Sequence, residues 1–115
     1  MPKLDLSQIP FKDGSTYPGK LSEAVAGRSS QPIGDASGLT QYGVNIVRLE
    51  PGGLSSLRHY HIEQDEFLVM LSGACTLIDD QGAHEMLPGD CAAFPAGEAN
   101  GHHLKNTTDA PATFL

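Results

Sequence analysis

The sequence predicts an all-β fold, a sandwich or barrel of short strands, and three observations carry that expectation. With 13 Gly and 8 Pro in 115 residues, the chain is interrupted too often for long helices. Apolar runs of about five residues recur between turn signals spaced roughly 8 to 12 residues apart, the rhythm of all-β domains. From Tyr42 onward, side chains alternate with a period of two, which is the repeat of a strand. The length fits one domain with a modest core.

Taken in order, residues 1 to 38 read as an irregular arm. Pro, Gly and Ser recur in IPFKDGSTYPGK and AGRSSQPIGDASG, and the apolar residues keep no period. LSEAVAG is long enough for one helical turn at most. Such an arm packs along a sheet or a partner subunit, or stays partly disordered. The β domain is expected over 39–115. LTQYGVNIVRLEPGG places Tyr42, Val44 and Ile46 on one side and Gly43, Asn45, Val47 and Leu49 on the other, and Pro-Gly-Gly stops it. SLRHYH reads as a second short strand. EFLVMLSG is a third, continuously apolar and therefore expected to be buried on both faces. CTLIDDQGAHEML reads as a hairpin turning at DDQG. LPGD is a further turn, followed by strands at CAAFPAG, HHLKN and PATFL.

Composition narrows the function. A formal net charge of −7 with only 7 Lys and Arg, none of them clustered, argues against a nucleic-acid partner, because phosphate binding needs grouped cations. No apolar run approaches the roughly 18 residues of a membrane span. The start, MPKLDLSQIP, has no apolar centre, so it does not read as a signal peptide, and a cytoplasmic location is expected. Cys75 and Cys91 form no CxxC pair and lie in the apolar runs ACTLI and DCAAF. Both are expected to be buried thiols acting as small hydrophobes.

The chemistry-bearing segment is GLSSLRHYHIEQDEFLVMLSG. His59 and His61 stand two apart, so on a strand both project from one face. Glu66 opens the next strand, and if the two strands pair it lies beside the histidines. Two imidazoles and a carboxylate on one interior face form a ligand set for a divalent ion with open positions. Taken singly these residues mean less. An HxH pair is often surface or hydrogen-bonded core, and an acid before an apolar strand is a common solubilising residue.

The ensemble is more specific. Gly53, His59, His61, Glu66 and Gly73 realise G-x5-H-x-H-x4-E-x6-G, and Gly89, Pro95 and Gly97 realise G-x5-P-x-G. These spacings resemble the two motifs of the cupin superfamily. The resemblance implies a cupin double-stranded β-helix, or jelly-roll barrel, whose second motif continues x2-H-x3-N. Here Asn100 stands at the histidine position, and two extra residues in EANG shift the pattern so that His102 and Asn106 restore H-x3-N. The resemblance thus implies a metal held by His59, His61, Glu66 and His102, with His103, on the opposite face, as the alternative fourth ligand. The ion so implied would be divalent: zinc, manganese, iron or nickel. Asn106, Ser55 and Ser56 are available to hold the outer nitrogens of the histidines. RHYHIEQDEF and GDCAAFPAGEANGHHLKN further resemble a little-characterised group of small single-domain bacterial cupins, some labelled sugar phosphate isomerases.

Three functions follow as expectations. One is a metal-dependent enzyme on a small polar molecule, an isomerase or a dioxygenase. Another is a non-catalytic barrel that binds a sugar or carboxylate. The third is a structural protein whose metal stiffens the barrel. PATFL reads as the middle of a strand where the family usually continues, so either the chain is truncated or the barrel is completed by the arm or by a partner. A homodimer is expected. His84 is expected to be exposed and outside the site. Arg48, Arg58 and Lys105 read as solvated charges, and Tyr42, Met70 and Phe94 as core.

Overall fold

The computed structural model describes residues 3–13, 26–59 and 62–115. Two antiparallel sheets face one another. The larger runs in the order β1 (Lys12–Asp13), β2 (Arg28–Gln31), β3 (Ile46–Leu49), β9 (Ala112–Phe114), β4 (Glu66–Ser72) and β7 (Cys91–Phe94). The smaller runs β6 (Gly82–Met86), β5 (Cys75–Asp79) and β8 (His103–Lys105). Most spatial neighbours are distant in sequence, as a jelly-roll barrel requires. A short α-helix, α1 (Ile33–Ser37), ends at Gly38, whose φ of 82° suits glycine. Among the described residues no helix is long and apolar enough to cross a membrane.

The core lies between the sheets. Val47 and Leu49 of β3, Leu68 and Met70 of β4, Cys75 and Leu77 of β5, Met86, Leu104, Ala112 and Phe114 pack there as one cluster. Each large apolar side chain removed from water contributes about 1.5–3 kcal/mol before its entropy cost. Alternation decides which residues enter. On β4, Leu68 and Met70 are buried while Phe67 and Leu71 are exposed. The expectation that EFLVMLSG is covered on both faces is therefore corrected: only one face meets the core. Cys91 is corrected likewise. It pairs with Val69 across the β4–β7 ladder and is exposed, whereas Cys75 is buried and its burial pushes the thiol up to about 11.

Other elements differ from the sequence pattern for local reasons. The strand expected from Tyr42 begins at Ile46, because the Val44 carbonyl accepts the Gly34 N–H at 2.8 Å instead of joining a ladder. Tyr42 is 66% exposed, not core. SLRHYH gives no strand among its described residues, only a single bridge pairing His59 with His102, and Leu54 just before it bridges Lys105. Between them Ser55 Oγ accepts the Leu104 N–H and Ser56 Oγ meets the His59 ring, so serine side chains compete with the ladder. Residues 28–37, inside the arm, form β2 and α1, and β2 pairs with β3 over four residues. Its sequence RSSQ has no apolar alternation, so the neighbouring strand supplies the order. LSEAVAG falls largely outside the described residues.

The DDQG hairpin forms as expected, with Asp79 opposite Gly82. Two glycines of the motif are explained by contact. At Gly73 (φ 69°) a Cβ would lie 2.5 Å from the Pro111 carbonyl oxygen, and at Gly53 one would lie 2.7 Å from that of Gly27. Gly53 is thus needed for close approach rather than for unusual φ.

Candidate metal centre

Three chain segments converge at one edge of the two-sheet core. Glu66 opens β4 and pairs with Phe94 of β7, so both side chains point inward. His102 precedes β8, is 2% exposed, and lays its ring on Phe94 with centroids 3.5 Å apart and planes 7° from parallel. Its Nε2 stands 3.0 Å from Glu66 Oε2. His59 is tied to His102 by reciprocal backbone bonds of 3.2 and 3.0 Å, which bring the two ring centroids to 5.4 Å.

Each histidine has its outer nitrogen occupied. A carbonyl can only accept, so His102 Nδ1–H donates to the Asn100 carbonyl at 2.9 Å and His59 Nδ1–H to that of Leu57 at 2.8 Å. Ser56 Oγ lies 3.1 Å from the same His59 nitrogen. These bonds fix the tautomer that presents Nε2 as the ligating atom. Ligand atoms of His59, Glu66 and His102 lie within 4.8 Å of one another. Opposite ligands of one ion, at bonds of roughly 2.0–2.2 Å, stand roughly 4 Å apart. The donor set therefore suits a divalent ion, and a spread of up to 4.8 Å calls for a small inward movement of the side chains to reach bonding distance.

His61 lies outside the described residues. His103 is turned to the other face of β8, where Nδ1 meets the Ser56 carbonyl at 3.0 Å, and burial holds its pKa below the ordinary value. Of the three proposed supports, Ser56 serves His59, whereas Ser55 holds the Leu104 N–H. Asn106 instead locks the turn after β8, donating to the Leu49 and Ala110 carbonyls and accepting from Thr108. His84 is on the β5–β6 hairpin outside the cluster, bonded to Asp79 at 3.0 Å. Arg48 pairs with Glu50 at 3.0 Å, and Met70 is core.

Sequence reasoning missed two contributors. Phe94 is a wall of the site rather than plain core. Its signal was the alternation of CAAFPAG, which puts it on the inward face opposite Glu66. Asn100 gave no sign beyond the altered spacing of its loop. A groove of about 740 Å³ runs between residues 41–45 and 63–67, and Glu66 is the one member of the cluster in its wall.

The profile of the Cupin domain family matches residues 45–115. The chain belongs to the cupin family. Among solved structures, this cupin is 65% identical to a sugar phosphate isomerase from a cupin superfamily of Silicibacter pomeroyi, covering 98% of this chain and 72% of that one at a TM-score of 0.96. A protein of Acidithiobacillus ferrooxidans, provisionally named a sugar phosphate isomerase, is 29% identical over 90% of this chain and 65% of its own, with a TM-score of 0.78. A polyketide cyclase of Streptomyces resistomycificus shares the fold, at 19% identity over 99% of this cupin and 75% of its own chain and a TM-score of 0.79. No protein of curated function matches the chain.

Proposed function

We propose that this cupin is a metal-dependent isomerase of a small phosphorylated sugar, with His59, His61, Glu66 and His102 as the ligands of one divalent ion. The observation that carries the proposal is the convergence of His59, Glu66 and His102 within 4.8 Å, each imidazole already oriented by a backbone carbonyl. Nitrogen and oxygen donors together suit zinc, manganese, iron or nickel. A bound divalent ion supplies Lewis acidity that polarises a substrate carbonyl. Phe94 covers one face of the His102 ring and keeps water from it, and the groove admits the substrate beside Glu66. The likeness to the Silicibacter pomeroyi protein supplies the substrate class. We place the protein in the cytoplasm as a homodimer, with residues 1–38 covering sheet edges beside the barrel of residues 39–115.

Elemental analysis of protein purified without chelator, beside a His59→Ala/His61→Ala variant, tests the ligand set. Near one metal per chain, lost in the variant, supports it. No metal in either, with the fold intact, removes it. Aldose and ketose phosphates followed by NMR, with metal-loaded and EDTA-treated protein, then test turnover. Saturable binding without interconversion would return the barrel to a binding role.

A further inference from the structure

The loop that delivers His102 is fastened from outside the site by residues that ligate nothing. Asn100 uses both ends of its carboxamide on the tip of the β5–β6 hairpin: Oδ1 accepts the Asp80 N–H at 2.9 Å and Nδ2 donates to Asp79 Oδ2 at 3.4 Å. The same residue's backbone carbonyl is the acceptor for His102 Nδ1–H. The next carbonyl, of Gly101, accepts two bonds from Arg58, from Nε at 3.1 Å and NH2 at 2.8 Å. Arg58 NH2 also meets Asp80 Oδ1 at 2.6 Å. Arg58 is the chain neighbour of His59, and Gly101 that of His102. One guanidinium thus spans both histidine segments and the hairpin tip.

The Arg58–Asp80 ion pair is 43% and 58% exposed and by itself contributes little to stability. What it fixes is position. The carbonyls of Asn100, Gly101 and His102 are all engaged, by the His102 ring, by Arg58 and by the His59 N–H, so a loop without regular structure has little freedom just where a ligand must be placed. The two extra residues of EANG are absorbed by this docking, which returns His102 to the inward face.

We infer that Asn100 and Arg58 are positioning residues of the metal centre, acting through the Asn100 and Gly101 carbonyls to hold His102 Nε2 at Glu66. This role rests on the metal-binding reading of the site. Outer partners of this kind typically change metal affinity 10- to 100-fold.

The test is cobalt(II) titration of the full chain, read by visible absorption and calorimetry, on wild type, Asn100→Ala, Arg58→Ala and Arg58→Lys, with thermal unfolding of each metal-free protein. The expected result is affinity about tenfold weaker or more in both alanine variants, with an altered cobalt spectrum and metal-free Tm within a few degrees of wild type. Arg58→Lys, which can still donate to Gly101, recovers part of the loss. Wild-type affinity and spectrum in both alanine variants would overturn the positioning role while leaving the metal site standing. Failure of the wild type to bind cobalt would sink the metal reading and this role together. If Asn100→Ala does not fold, the Arg58 pair, at a side chain nearly half exposed, decides the question alone.

Discussion

The Asn106 carboxamide makes four hydrogen bonds while fully shielded from water. It joins the end of β3 to the turn that leads into β9, so a single side chain sets the path of the last strand. Asn106→Ala removes all four bonds from a buried position, and unmade buried bonds cost far more than exposed ones. A loss of about 2–4 kcal/mol is expected, read by urea unfolding as a lower midpoint at constant slope. A change below 0.5 kcal/mol would mean that the turn rearranges or that water replaces the amide. Single residues also mark how far the sequence was legible. His59 and Glu66 could be read because their spacing is local and each residue type carries its chemistry openly, whereas His102 was legible only through the resemblance to the second cupin motif. Phe94 and Arg58 could not, because their roles come from contacts with His102 and Gly101 that appear only once the barrel is closed.

At the scale of elements, the β5–β6 hairpin is both the clearest sequence feature and a support of the site. DDQG between two alternating runs specifies a tight turn without help from the rest of the chain. β2 is the opposite case. RSSQ has no strand signal, and its pairing with β3 comes from the partner. The segment before His59 shows the third outcome, in which a short strand is expected but serine side chains take the ladder's hydrogen bonds. The hairpin tip also predicts a pH response. Partial burial raises the Asp79 carboxyl, but bonds from His84, the Gln81 N–H and Asn100 outweigh it and hold its pKa below the ordinary value. A depressed folded-state pKa means that the unfolded chain takes up the proton first, so the contribution is complete above the unfolded value of roughly 3.9 and is lost as pH falls below it. Thermal unfolding from pH 6 to pH 3 should therefore show a steeper acid limb for wild type than for Asp79→Asn. Parallel limbs would remove Asp79 from the account.

For the whole molecule, a chain of net charge −7 leaves part of its larger sheet apolar on the outside. Phe67 and Leu71 of β4 are 63% and 47% exposed, and Leu115, bonded to Val69 beside them, is 40% exposed. Exposed apolar surface of this kind commonly marks an interaction face. Light scattering with size exclusion should report a homodimer, and the exposed Cys91 on β7 offers a second readout. Its labelling by a thiol reagent should slow as protein concentration rises, while Cys75 should react only on unfolding. A monomer at high concentration, with Cys91 labelling independent of concentration, would remove the dimer.

The buried amide of Asn106 also decides where this protein can be made. Asn106-Thr107-Thr108 is an acceptor sequence for N-linked glycosylation. In a eukaryotic secretory pathway the glycan is attached while the chain is still unfolded, on a nitrogen that the finished barrel encloses and whose hydrogens are already committed to Leu49 and Ala110. A sugar there would leave the last strand no seat, and the secreted chain would be retained as misfolded. Bacterial or cytosolic expression avoids the modification, and secretion from a eukaryotic host would first require another residue at Thr108.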